Sequence, residues 1–181
     1  AHSLMMDSKG RVWTASQTRE HDNPAFCKQG SSHPSAIAFP VNSGSRQVNM
    51  YDPKTGKWTL VDMCASSLHL NFAPDANNTL WIGHPGMDIV GWLNVRMFDE
   101  THDAQKSQGW TPLILDTNGN GKRDAYTEPG QPTDPSKDTR IKGGYYGIIP
   151  SPADGSIWGT RLGFPGAILR LNPGTDPSKT A

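Results

Sequence analysis

Six side chains that could act as bases, hydrogen-bond donors or metal ligands recur at corresponding places around three tryptophans. Each lies 11 or 12 residues before Trp13, Trp81 or Trp158, or three residues after one of them. The six are His2, Ser16, His69, His84, Tyr146 and Arg161. Because imidazole can act as a general base or bind a transition metal, His69 and His84 are catalytic candidates and the other four are ligand-binding candidates. The alternative is a set of hydrogen-bonded histidines that line a wet channel.

A run of oxygen-bearing side chains from Asp116 onward has the spacing of a calcium-binding loop. In such loops oxygen ligands stand at positions 1, 3, 5 and 9, glycine stands at position 6, and position 7 binds through its carbonyl. The predicted ligands are Asp116, Asn118, Asn120, Lys122 (through its backbone carbonyl), Asp124 and Glu128. Glu128 comes one residue after the usual twelfth position, and no helix is expected on either side. The sequence therefore predicts Ca²⁺ that orders this connection, with a metal-free Asn/Gly turn as the alternative.

The candidate residues are carried by a unit that recurs three times. Each copy has a short apolar segment, a turn of Asp, Asn or Gly, and an apolar residue followed by tryptophan, at 2–13, 69–81 and 146–158. This pattern predicts a β-hairpin, and repeated β units favour a propeller. Third strands are predicted at 48–52, 95–99 and 168–172, and fourth strands at 57–62 and 109–116.

The predicted fold is all-β: a β-propeller of four-stranded antiparallel blades. About two and two-thirds blades are counted, and since so few cannot close a ring, we expect the remaining blades in the same polypeptide. The blades cover about 1–62, 66–116 and 143–181, with the calcium-type loop and its connection at 116–142. The recurring tryptophans, Trp58 among them, are expected to pack between blades.

Strand order places the two long insertions, 16–34 and 116–142, on one face of the predicted disc, here called the loop-bearing face. Long loops on one face of a rigid scaffold are a usual place for binding. Cys27 and Cys64 fall on this face of one blade, so a disulfide is favoured over two buried thiols. A disulfide indicates an oxidising compartment, periplasmic or extracellular. His33 lies in the first insertion and is expected on the surface.

Composition excludes some partners. Lys and Arg total 17, as do Asp and Glu, so there is no overall basic field to attract nucleic acid. No stretch approaches the roughly 20 apolar residues that span a bilayer, which predicts no membrane span. The 19 glycines and 15 prolines suit many short strands joined by turns.

The repeated unit resembles that of the virginiamycin B (streptogramin) lyase family of seven-bladed propellers. The shared order is a histidine, an apolar pair, an Asp-Gly turn, a tryptophan and then a strand ending in Asn/Asp-Pro. The resemblance implies magnesium-assisted elimination, with a histidine at the start of a blade and a glutamate just past the tryptophan. His2 and His69 match the histidine. The glutamate position holds Ser16, His84 and Arg161, so the metal-binding half of the pattern does not match in these blades.

Three functions are open at this point. The first is a secreted or periplasmic binding propeller that holds a small molecule or a partner protein at the loop-bearing face and is stabilised by calcium. The second is a metal-assisted lyase with His69 or His84 as the base and Mg²⁺ or a transition metal as cofactor. The third is a subunit of a larger periplasmic assembly.

Overall fold

The computed structural model describes residues 2–174, and its regular structure is mostly β. Within these residues the strands form three sheets in which consecutive strands pair antiparallel; one short pair, described below, is parallel. The expectation of an all-β chain with antiparallel sheets is confirmed. The stretch 175–181, the end of the third predicted blade, lies outside the described residues.

Sheet 1 contains four strands in chain order. They are β1 (Leu4–Met6), β2 (Val12–Ser16), β3 (Gln47–Asp52) and β4 (Lys57–Val61). The insertion between β2 and β3 holds a short 3-10 helix, Ala25–Cys27, and helix α1, Pro34–Ala38. Both turns within the predicted hairpins form as expected, because Asp7 and Asp52 accept backbone amides at the start of each turn.

Sheet 2 is larger than predicted. Its first four strands are β5 (His69–Phe72), β6 (Thr79–Gly83), β7 (Ile89–Asn94) and β8 (Gln108–Leu115). Helices α2 (Val95–Thr101) and α3 (Ala104–Ser107) lie between β7 and β8. Sheet 3 has three described strands: β11 (Ile148–Pro150), β12 (Ile157–Arg161) and β13 (Ala167–Leu171).

The predicted third strand at 95–99 is wrong, because this segment forms helix α2. The side chain of Asn94 accepts the backbone N–H of Met97 and caps the helix, and the chain leaves it through His102 at φ 53°. The strand that pairs with β6 and β8 is instead the preceding apolar run, Ile89–Asn94. Trp92 lies in that strand and is buried, as expected of the third strand.

The connection 116–142, predicted as a calcium-type loop and a connection, also contributes two strands that the sequence did not indicate. It contains β9 (Tyr126–Thr127) and β10 (Asp138–Ile141). β10 pairs antiparallel with β8, and β9 pairs parallel with β10, so sheet 2 has six strands. Asp138 holds the connection in place, because its buried carboxylate accepts the backbone amides of Thr117 and Asp124.

The three sheets stack face to face, with sheet 2 in the middle. One apolar cluster joins the inner face of sheet 1 to sheet 2, with Trp13 and Leu80 among its members. A second joins the other face of sheet 2 to sheet 3 and includes Trp81 and Ile157. The first strands of the sheets also touch in order, because β5 contacts both β1 and β11.

The outer faces of sheets 1 and 3 expose large apolar side chains. On sheet 1 they are Leu4, Met6, Trp58 and Leu60, and on sheet 3 they are Ile149, Trp158 and Ile168. Trp58 is 62% exposed and touches the ring of Tyr51, so no sheet of residues 2–174 covers it as expected. Trp13, Trp81 and Trp110 are buried, as predicted.

Candidate functional site

Three of the predicted site residues, one from each sheet region, meet at the loop-bearing face. The rings of His2 and His69 lie 4.9 Å apart between centroids, edge to face. The ring of Tyr146 lies 4.6 Å from that of His69, also edge to face. We call these three side chains the ring cluster. The sequence pattern places these residues near one another on this face. It leaves the direction of the rings open, because His2 lies 11 residues before its tryptophan and His69 lies 12 residues before its own.

Backbone hydrogen bonds hold each member of the ring cluster in place. The N–H of His2 donates to the carbonyl of Ala15 at 2.9 Å, and the N–H of Tyr146 donates to the carbonyl of Thr160 at 2.7 Å. His69 begins β5 and pairs with Gly83 at the end of β6. A Cβ on Gly83 would lie 2.8 Å from the backbone oxygen of Tyr145, so glycine allows sheet 3 to approach this closely.

His69 is the central member of the ring cluster and has an unusual environment. Its Nε2 atom is buried and has no hydrogen-bond partner within the described residues. Burial, and then the charge on His2, lower the pKa of His69. Its imidazole is therefore neutral at neutral pH, and a buried nitrogen without a partner is uncommon enough to mark a site.

His84 follows β6 at the same face. Its Nδ1 accepts the N–H of Gly86 at 3.0 Å, so the proton of the neutral ring is assigned to Nε2. Burial lowers the pKa of His84, and the charges on Arg46, His2 and His69 lower it further. His84 therefore belongs to the same electrostatic environment as the ring cluster.

Arg46 is a residue of this site that sequence reasoning missed. The carbonyl of Arg46 accepts the N–H of Ser67 at 3.0 Å, and Leu68 donates to Gly83 at 3.1 Å. The short segment from Ser67 to His69 thus joins Arg46 to the end of β6, where His84 lies. Arg46 directly precedes β3, and the third strand of an antiparallel sheet starts at the same end as the first. This position was the signal that could have identified it.

The remaining two predicted ligand-binding residues lie at matching strand ends but outside the ring cluster. Ser16 ends β2 and accepts a hydrogen bond from the side-chain amide of Asn49. The side chain of Arg161, at the end of β12, runs alongside Gly143. Among the hydrogen bonds and ring contacts of the described residues, none links Ser16 or Arg161 to the three rings.

The predicted calcium loop folds around its own carboxylates. Asp116 accepts the backbone amides of Gly119, Asn120 and Gly121 at distances of 2.7 to 3.2 Å. The side chains of Asn120 and Asn118 donate to Asp124 and lower its pKa. Hydrogen bonds within the loop therefore bring together four of the predicted ligands: Asp116, Asn118, Asn120 and Asp124.

Glu128 lies apart from these ligands and pairs with Arg140. Its carboxylate accepts from Nε and Nη2 of that arginine at 2.8 and 2.7 Å. Lys122 donates its backbone N–H to the side-chain oxygen of Asn120 at 2.8 Å. Across residues 2–174, no three His, Cys, Asp or Glu side chains are grouped closely enough to hold a metal ion.

The cysteines form a disulfide, as favoured from the sequence. Cys27 in the first insertion is bonded to Cys64 in the connection between β4 and β5, and both are fully buried. His33 was expected on the surface and is instead buried, because its ring stacks on Trp110 at 4.8 Å. The first insertion is thus packed and covalently tied to the sheets that support the site.

Comparison with known proteins leaves the geometry as the basis for a function. No protein-family model, curated protein or solved structure matches the chain. Over the described part of the chain, no helix has the length and apolar character needed to cross a membrane.

Proposed function

We propose that this chain is a binding module and that its ligand, a small molecule or a partner protein, docks at the loop-bearing face. The observation that carries the proposal is the ring cluster. His2, His69 and Tyr146 come from segments far apart in the sequence and meet at one face, and the buried Nε2 of His69 has no partner among the described residues. Convergent polar and aromatic groups of this kind are typical of ligand sites.

We further propose that the three sheets are successive blades of a β-propeller. Support comes from the face-to-face stacking, from the contacts between first strands, and from the exposed apolar faces at both ends of the stack. In a closed ring those two faces would be covered by further blades, which we place in the same polypeptide. The resemblance to streptogramin lyases is consistent with this architecture.

Calcium at the Asp116 loop is proposed as a structural ion. Support comes from the spacing of its oxygen side chains and from the arrangement of Asp116, Asn118, Asn120 and Asp124 around one loop interior. These residues are hard oxygen donors, which is what calcium requires. The Cys27–Cys64 disulfide favours a periplasmic or extracellular location, because disulfides persist in oxidising compartments.

A metal-assisted lyase is the second candidate, and one observation favours it. The lowered pKa values of His69 and His84 keep both imidazoles neutral at neutral pH, as a general base requires. This candidate needs Mg²⁺ or a transition metal, which residues other than those described would have to bind. Turnover of a streptogramin lactone that requires added metal and is lost in His69→Ala would favour the lyase over the binding module.

The binding proposal is tested by a thermal-shift screen of small acids, amines, sugars and peptides. The wild-type chain is compared with His69→Ala and with the control His102→Ala, whose histidine lies at the end of α2. Compounds that raise the melting temperature of the wild type and of His102→Ala, and not that of His69→Ala, support the site. Stabilisation that persists in His69→Ala, or no stabilising compound, would overturn it.

A further inference from the structure

We propose that the loop-bearing face recognises an oxyanion, a carboxylate or a phosphate ester, through Arg46, His84 and the ring cluster. The inference deepens the proposed function and rests on it, because it names the chemical class of the ligand. The ligand group would lie between the end of β6, which His84 follows, and Arg46 before β3, two places that backbone hydrogen bonds of Ser67 and Leu68 connect. Bound there, it would accept hydrogen bonds from the guanidinium and from the imidazole.

Arg46 carries a positive charge that no carboxylate of the described residues balances. The chain is neutral overall, with 17 basic and 17 acidic residues. Arg11, Arg19 and Arg140 are each paired with a carboxylate of the chain. Arg46 differs from them, because no ion pair of the described residues includes it. Arg46 therefore carries a positive charge that a ligand could neutralise.

His84 and Arg46 both offer hydrogen-bond donors. His84 uses Nδ1 to accept the N–H of Gly86, which leaves Nε2 as a donor. Guanidinium offers several N–H donors in a planar fork that matches the geometry of carboxylate and phosphate. These donors suit an oxyanion, and the positive charge of Arg46 disfavours an ammonium ligand.

The pKa values of His69 and His84 depend on the charges around them. Burial and the neighbouring positive groups lower the pKa values of His69 and His84, so each added proton is resisted by the others. An oxyanion relieves this repulsion and stabilises the protonated rings. By linkage, anion binding raises these pKa values, and the affinity increases as the pH is lowered.

The charged groups around His84 are Arg46 before β3, His2 before β1 and His69 in β5. The carboxylate in the loop after His84 is Asp88, which is held by the N–H of Gly143 and lies 3.7 Å from Arg140. The electrostatic influences resolved on His84 come from the three basic groups. For an anion whose own charge is constant, the expected pH dependence therefore has one sign, with tighter binding at lower pH.

The test is a proton NMR titration of the histidine ring signals in the full chain. The probes are inorganic phosphate, citrate, neutral glycerol and cationic choline, at constant ionic strength because exposed charges are screened by salt. We expect saturable shifts of the His2, His69 and His84 signals with phosphate or citrate at about pH 7. Acetate is added as a probe for the pH dependence because its charge is constant in this range, and it should bind more tightly at about pH 6 than at about pH 8. Which of phosphate and citrate binds more tightly distinguishes a phosphate ester from a carboxylate ligand.

Arg46→Gln should weaken anion binding by about 10-fold or more, the usual effect of losing a charged hydrogen bond. The matched control is Arg96→Gln, which removes the same charge from an exposed position on α2. His84→Gln is a second variant, and the dispersion of the NMR spectrum reports whether each variant is folded. Equal affinity in Arg46→Gln and Arg96→Gln overturns the inference.

The outcome also separates this inference from the proposed function. If glycerol or choline shifts the signals of the ring cluster and neither anion does, the oxyanion inference is wrong and the binding face remains. If anions shift only His21, His33 or His102, the site lies elsewhere and the inference is also wrong. If no probe of any charge shifts the three signals and the thermal-shift screen finds no ligand, both proposals fail.

Discussion

Removing the Cys27–Cys64 disulfide should lower the free energy of unfolding by about 4 kcal/mol. The bond joins residues 37 positions apart and therefore closes a long loop in the unfolded chain. In the chain-entropy model, a loop of this length removes about 13 cal/mol/K of entropy from the unfolded state, or about 4 kcal/mol at 25 °C. Since small domains are stable by only about 5–15 kcal/mol, this is a large share of the total.

The location of the disulfide adds a packing effect to this entropic one. Both sulfur atoms lie in an apolar cluster with Val41, Ile89 and Trp110, where they fill space between the first insertion and sheet 2. Replacement of both cysteines by alanine therefore opens a small cavity as well as the loop. Chemical reduction keeps the sulfur atoms and opens only the loop, so the two effects can be measured separately.

The assay is urea unfolding followed by tryptophan fluorescence, which reports on Trp110 in the same cluster. Three samples are compared: oxidised wild type, reduced wild type, and the double variant Cys27→Ala/Cys64→Ala. We expect the reduced protein to lose about 4 kcal/mol and the double variant to lose somewhat more. A loss below about 1 kcal/mol in both would refute the reasoning, since it would mean that the loop is already constrained in the unfolded chain.

Three further predictions concern Asp7 and the calcium loop. Asp7→Ala should lower the free energy of unfolding in urea by about 3 kcal/mol, because the indole of Trp13 and the guanidinium of Arg11 lose their buried acceptor. A change of less than about 0.5 kcal/mol would contradict this. Burial alone would raise the pKa of Asp7, but hydrogen bonds from Trp13 and Arg11 outweigh it and lower the pKa below 3.8. The stability that Asp7 provides is therefore present above pH 3.8 and lost as the pH falls through the lower folded-state pKa, and acid unfolding of Asp7→Asn should show a smaller loss over that range. Calcium at 100 times its dissociation constant should stabilise the wild type by about 2.7 kcal/mol and leave the stability of Asp116→Ala unchanged. The control Asp134→Ala should be stabilised as the wild type is. Equal stabilisation of Asp116→Ala would place the ion elsewhere.

The hairpins could be predicted from the sequence because their turns have strong local chemistry. Asp7 and Asp75 each accept backbone amides at the start of a turn. Residues of this type favour turns and therefore mark the ends of strands. The helix at 95–101 was missed because its sequence, Val-Arg-Met-Phe-Asp, resembles the true strand Val48-Asn-Met-Tyr-Asp52. The capping bond from Asn94 decides the outcome, and a cap is recognisable only when the helix is already suspected.

Strand order predicts that the starts of the first strands lie on one face, and the ring cluster lies where the first strands of the three sheets begin. The contact between imidazoles depends on register and on the close approach that Gly83 allows, neither of which the spacing of residues encodes. Arg46 was missed because its role depends on charge at a distance. His33 was misplaced because stacking on Trp110 depends on how the first insertion folds back.

The three tryptophans that close the hairpins provide a further argument for a longer stack of sheets. Trp13 packs into the cluster between sheets 1 and 2, and Trp81 packs into the cluster between sheets 2 and 3, so each points toward the following sheet. Trp158 holds the same place in sheet 3 but is 39% exposed, beside exposed Ile149 and Ile168. Because equivalent residues in repeated units bury equivalent surfaces, a fourth sheet is expected to cover Trp158. A stack that ended at sheet 3 would be expected to carry a polar residue at this position, as terminal repeats do.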